Sequence, residues 1–180
     1  RGDVVAIWDS SETALGAWVA AGFTAHYVFS WQAAAACCDE PVFACAFPPS
    51  RDLSIAGARW FAQKRVANPR FQEAAAAVFA TTERLFRKWG CAYFIEGPAV
   101  GRLRTLWRAP DLVYNPCDFG AYLDADDAHP RHPDVIPSRD AYTRPSGVWI
   151  GGGFRCPQRK PVDPVWRYTL RKGRRQLRRM

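Results

Sequence analysis

Several things are scarce in this 180-residue chain, and each scarcity excludes something. Its six cysteines (Cys37, Cys38, Cys45, Cys91, Cys117 and Cys156) include no Cys-x-x-Cys pair. His129 and His132 likewise have no partners at ligand spacing, so no zinc site is expected. Most of the cysteines sit among apolar neighbours, which favours buried free thiols in a reducing compartment over disulfides. No apolar run approaches the length of a membrane span, and the stretch after Arg1 has no signal-peptide cleavage pattern. Acidic residues are missing altogether from Val165 onward, where Arg167, Arg171, Lys172, Arg174, Arg175, Arg178 and Arg179 stand. Of the formal net charge of +8, these seven account for +7 and leave +1 for the rest. The excess is thus a basic tail (161–180) on a nearly neutral body. Such a tail favours a polyanion, above all nucleic acid, through counterion release and without sequence preference. A solvated terminus is the alternative.

Apolar material is plentiful. A hydrophobic content of 48%, with 8 Trp and 11 Phe, predicts a folded globule. The length fits one domain with a proper core, taken as residues 1–160. Asp3 to Asp9 reads as a buried strand, Ala14 to Ala21 as a helix closed by Gly22, and Thr24 to Trp31 as a second strand. Strand, helix and strand within some thirty residues form a βαβ unit, which calls for a parallel sheet with a ligand crevice at its carboxyl ends. Pro41 to Phe47 is a third strand, Arg70 to Trp89 a long amphipathic helix capped by Gly90, and Cys91 to Ile95 a fourth strand ending at Glu96. Asp111 to Tyr114 is a further short strand. Asp124 to Arg139 is acidic and proline-rich, and its Asp124, Asp126, Asp127, His129 and His132 read as a solvated loop in preference to a metal site.

The chain is organised around Phe47-Pro48-Pro49-Ser50 and the residues that follow. Two prolines end the third strand and stiffen a corner that presents Ser50, ahead of a loop carrying Arg51, Arg59 and Arg65. Read alone, this is equally an ordinary strand-ending turn. Pro49-Ser50 and Leu53-Ser54-Ile55-Ala56-Gly57 resemble the catalytic motif of the DNA (cytosine-5)-methyltransferases, where Pro-Cys leads into a Ser-Ile-Ser-Gly-like loop. Glu96-Gly97-Pro98 is similar to that family's Glu-Asn-Val or Glu-Asn-Pro motif, and Tyr142 to Trp149 to its late arginine motif, with Arg144 in the arginine position. The match runs from about Asp3 to Phe154 and looks like a compact, phage-type branch without a large target-recognition domain.

The resemblance implies a Rossmann-like α/β fold, with a mostly parallel sheet and helices on both faces, in a cytoplasmic protein of a bacterial or phage-infected cell. It implies S-adenosylmethionine as cofactor, held by Asp9, Ser10, Ser11, Ser30, Trp31, Phe47 and Pro48. It also implies DNA as partner, either with the base flipped out of a duplex or single-stranded, and a catalytic set of Ser50, Glu96 and Arg144. Glu96 would polarise cytosine N3 so that a nucleophile adds at carbon 6 and carbon 5 attacks the methyl group. Phosphate contacts fall to Arg51, Arg59, Arg65, Arg102, Arg104, Arg108, Arg171, Arg174 and Arg175.

Three departures stand out: Ser50 replaces the cysteine nucleophile, Gly97 replaces asparagine, and the turn Asp9 to Thr13 lacks the family's glycines, with Ser30 where a ribose-binding carboxylate is expected. An alkoxide is far harder to form than a thiolate, whose unperturbed pKa is about 8.5, so slow or absent turnover is expected. Ser50 is either a silencing substitution or a natural divergence. The alternatives are a catalytically dead DNA-binding relative and an enzyme acting on a free pyrimidine nucleotide.

Overall fold

In the computed structural model, which describes residues 6–9, 15–16, 19–20, 22, 24–27, 41–129, 132–171 and 174–179, the backbone contacts separate residues 1–41 from residues 42–180. In the first unit β1 (Ala6–Asp9) pairs in parallel with β2 (Thr24–Tyr27), Asp9 opposite Tyr27. Leu15, Gly16, Val19 and Ala20 between them are helical, and Gly22 follows in a turn. This is the parallel βαβ crossover that the sequence pattern predicts, since only a crossover returns the chain in the same direction. The outer parts of both expected strands, 3–5 and 28–31, lie outside the described residues.

The second unit begins with β3 (Phe43–Ala46). A 3-10 turn over Ile55–Trp60 leads into helix α1 (Phe61–Ala67), and α2 (Phe71–Trp89) follows. α2 is rich in alanine and buries Phe71, Ala76, Phe79, Thr82 and Phe86 along one stripe, the spacing of an amphipathic helix. β4 (Ala92–Pro98), the short helix α3 (Leu103–Leu106), β5 (Leu112–Tyr114), β6 (Tyr142–Thr143), β7 (Ser146–Gly151), β8 (Trp166–Arg171) and β9 (Arg174–Arg179) complete the order.

Four strands form a sheet in the order β3-β4-β7-β5. β3 and β4 run parallel, joined by the helical crossover through α1 and α2, with Ala46 opposite Ile95. β7 runs antiparallel to both β4 and β5. The sheet is therefore mixed, which corrects the expectation of a mostly parallel one. Helices on both faces are not seen either: among the described residues α2 packs against one face of β4, because the β3-to-β4 crossover deposits its helices there. The return through β7 is antiparallel and needs no crossover helix.

Two further differences bear on the site. β4 continues through Pro98, so Glu96 lies within the strand and not at its tip. The segment expected as a basic tail folds instead into the antiparallel hairpin β8–β9, which joins β6 in a three-stranded sheet. Of the four described cysteines all are free; Cys91 and Cys117 are buried, as expected, but Cys45 and Cys156 are exposed. Among the described residues no helix is long and apolar enough to cross a membrane.

The packing of α2 on β4 rests on one close approach. Trp149 and Tyr93 are fully buried on that face, and the Phe79 ring meets Trp149 at 6.0 Å between centroids. A Cβ on Gly97 would lie 2.6 Å from Phe79 Cε1 and 3.1 Å from Trp149 Cζ3. Only glycine fits. Gly97→Ala is expected to destabilise the protein by about 1–3 kcal/mol through overpacking, measured by urea unfolding. Phe79→Leu in the same chain is expected to recover part of that loss, because the two changes share one volume. Equal unfolding midpoints for Gly97→Ala and the parent would show that this contact is not tight.

Candidate functional site

The period-two alternation of the sheet sorts its side chains. Tyr93, Ile95 and Gly97 of β4 share the helix-covered face with Trp149 of β7. Phe94 and Glu96 therefore belong to the opposite face. Register puts Glu96 opposite Val148, which also faces Leu112, and puts Tyr114 opposite Ser146. Glu96, Tyr114 and Ser146 thus occupy adjoining positions on one face, contributed by three strands.

The electrostatics agree with this placement. The Tyr114 phenol is pushed up to about 12, first by burial and then by the negative charge of the Glu96 carboxylate beside it. Arg144, exposed in the link between β6 and β7, acts in the opposite direction on Tyr114 and interacts with Tyr142. Burial and the charge of Asp140 raise the Tyr142 phenol, while Arg144 offsets part of that. Two of the three expected catalytic residues, Glu96 and Arg144, are therefore gathered in one cluster with Tyr114, Tyr142 and Ser146.

Ser50 stands four residues beyond Ala46, past the same end of the parallel pair β3–β4 that carries Glu96. It is half-buried, and its carbonyl accepts a hydrogen bond from Leu53 N at 3.0 Å. The loop after it is held in place. Arg102 N donates to Leu53 O at 3.1 Å, and Ser54 forms a bridge with Gly101. Gly57 is required where it stands, because a Cβ there would lie 1.9 Å from the Arg51 carbonyl oxygen. Pro48 is buried, whereas Phe47 is 63% exposed and meets Phe94 edge-on at 5.8 Å. Phe43, Phe94 and Phe154 continue this patch, with Phe43 and Phe94 each within 6 Å of Phe154.

The other expected residues divide clearly. Asp9 ends β1, while Ser10, Ser11, Ser30 and Trp31 lie outside the described residues. For S-adenosylmethionine, the described part of the expected set offers Phe47, whose exposed ring fits packing against a flat apolar group. Arg51, Arg59, Arg65, Arg102 and Arg104 are exposed. Arg51 lines an open cavity of about 400 Å³ with Trp60, Gln63, Lys64 and Ala67. The Arg59 guanidinium lies 4.9 Å from the Trp60 ring centre, and Lys64 pairs with Asp52. Arg108 is a correction: it bonds Glu83 at 2.8 Å and Asp111 at 2.9 and 3.0 Å, so it is a structural cation and not a phosphate contact. Among the described residues no three His, Cys, Asp or Glu groups are arranged to hold a metal ion.

Tyr114, Tyr142 and Ser146 were not legible as site residues from sequence. Asp111 to Tyr114 reads as a short strand, but nothing in it says which face would meet Glu96. No family model matches the chain, and neither does any curated protein or solved structure.

The Tyr114 shift is directly measurable. The unfolded phenol titrates near 10, so between about pH 10 and 12 the folded protein holds a proton that the unfolded chain has lost. Stability from this group is then intact below about 10 and falls as pH rises towards about 12. Ultraviolet titration is expected to lose its highest-titrating tyrosine in Tyr114→Phe, and to show it shifted down in Glu96→Gln. An unmoved titration in Glu96→Gln would separate Tyr114 from Glu96.

Proposed function

We propose that this chain is a compact DNA cytosine-5 methyltransferase-like protein of Rossmann-like methyltransferase fold, impaired in turnover by Ser50. One observation carries the reading: the Pro-Pro-Ser corner leaves β3 just past Ala46, which pairs with Ile95, the residue before Glu96 in the neighbouring parallel strand, and Arg144 joins the Glu96 cluster. Those are the three positions that a nucleophile, a base-edge carboxylate and a base-contacting arginine need to share.

In this reading a cytosine extruded from the helix lies against the Glu96 face. Glu96 engages the cytosine edge at N3 and the amino group, and the ring so polarised accepts a nucleophile at carbon 6. S-adenosylmethionine, when bound, supplies the electrophilic methyl group. Tyr114 keeps its own proton and positions Glu96, and Arg144 carries the positive charge that the developing anion needs. Phe47 would pack on that cofactor. Gly97 in place of the family's asparagine follows from the packing of Phe79 and Trp149, which leave no room for a side chain there.

A second reading, a DNA-binding relative without methyl transfer, is favoured by Ser50 alone. A hydroxyl is a poor nucleophile at neutral pH, and no described histidine stands near it in sequence.

Ser50→Cys separates the two. With S-adenosylmethionine present, the variant is expected to form a covalent adduct with duplex DNA containing 5-fluorocytosine, visible as a denaturant-resistant band absent from the parent. Calorimetry is expected to show S-adenosylmethionine binding in both. Absence of both adduct and cofactor binding would leave the DNA-binding relative as the better account. Competition by deoxycytidine monophosphate tests for a free-nucleotide substrate.

A further inference from the structure

We propose that the β8–β9 hairpin is a duplex-DNA-binding ribbon whose contact positions are Arg167, Arg171, Arg174 and Arg178. The register places Arg167 directly opposite Arg178 and Arg171 directly opposite Arg174. By the period of two, these four share one set of positions with Thr169 and Gln176, and that set holds no apolar and no acidic residue. The alternate set holds Trp166, Tyr168, Leu170 and Leu177 with Arg175 and Arg179. Like charges directly opposite on a β-ladder destabilise it. Two such pairs in a hairpin of six residues a side are an arrangement that a polyanion relieves.

Geometry favours duplex DNA over other polyanions. The two arginine pairs stand four positions apart along β8, about 13–14 Å at the rise of an antiparallel strand. That is close to the roughly 12 Å width of the major groove, which admits a two-stranded β-ribbon. One pair then serves each wall of the groove. The ribbon is also rooted beside the candidate site, because Thr143, next to Arg144, pairs with Arg167. A membrane surface is the poorer fit, since an interfacial face needs apolar residues beside its cations and this set has none. Arg167 and Arg178 are thus added to the contacts expected from sequence, and Arg175 is assigned to the other set.

The inference shares the DNA partner with the proposed function but needs no methyl transfer. The test is fluorescence anisotropy of a labelled 20-base-pair duplex across about 50–200 mM salt, without S-adenosylmethionine, so failure of either idea leaves the other standing. Replacing Arg167, Arg171, Arg174 and Arg178 together by threonine is expected to lower the slope of log K against log salt by about three to four, near 0.9 per phosphate contact. Each cross-strand pair replaced alone (Arg167→Thr with Arg178→Thr, or Arg171→Thr with Arg174→Thr) is expected to remove about half of that. Arg175→Thr with Arg179→Thr is expected to remove less than one. The variants at Arg167, Arg171, Arg174 and Arg178 are expected to melt no lower than the parent, since like-charge pairs are relieved. Equal losses from the two sets would overturn the proposal. So would tighter binding by the parent to anionic phosphatidylserine vesicles, or to single-stranded DNA, than to the duplex.

Discussion

A ring pressed against a backbone sets the geometry of everything near Glu96. Phe79 of α2 approaches Gly97 so closely that no side chain fits between them. Because alternate residues of a strand point to opposite faces, fixing Gly97 under the helix fixes Glu96 on the other face. A one-residue slip of β4 would bring the carboxylate under α2, among Phe79, Trp107 and Trp149, where an unpaired charge is strongly disfavoured. Helix packing and site orientation are therefore one constraint. Gly97 is the residue that enforces it.

A second device ties the far side of the sheet to the same helix. Glu83 of α2 is only 7% exposed, and it accepts hydrogen bonds from Arg87, Arg108 and Tyr93. Burial alone would raise its carboxyl, but the hydrogen bonds from Arg108 and Arg87 outweigh this and hold it below the usual range. Arg108 also grips Asp111, whose carboxylate receives Ile150 N at 2.9 Å. This chain of contacts runs from helix to the start of β5 and on to β7. Tyr114 lies three residues after Asp111, so its position beside Glu96 is inherited from the network. Removing one partner of such a buried set is worse than never having it, because the other charge stays buried.

Much of the local structure was readable. α2 announces itself through its alanines, its 3.6-residue stripe and Gly90, and the strand–helix–strand start dictates a parallel pair. What was not readable depends on contacts far apart in sequence. Nothing in Ser146 to Gly151 states that it will insert antiparallel between β4 and β5, and Tyr114 meets Glu96 only through that insertion. Arg108 looks like a phosphate ligand until Glu83, 25 positions earlier, is seen to claim it. The final segment carried two opposed signals, a run of arginines and an alternation of Trp166, Tyr168 and Leu170. The charge reads as a free tail and the alternation as a strand, and the structure follows the alternation.

Ser50 is best weighed against what surrounds it. Polarising a pyrimidine and attacking it are separate tasks, and the proposed division gives the first to Glu96 with Tyr114 and the second to residue 50. The groups given the first task are gathered on one face of the sheet: the Glu96 carboxylate, a Tyr114 phenol pushed up to about 12, and Arg144 acting on the same phenol. Only the second task falls to a group of the wrong acidity. Holding DNA alone would need neither a half-buried Tyr114 beside Glu96 nor a rigid corner before Ser50, since phosphate contacts ask only for exposed cations. On the proposed reading, this combination corresponds to a site whose base-polarising part is arranged and whose nucleophile is a hydroxyl, so that turnover would stop at the attack on carbon 6.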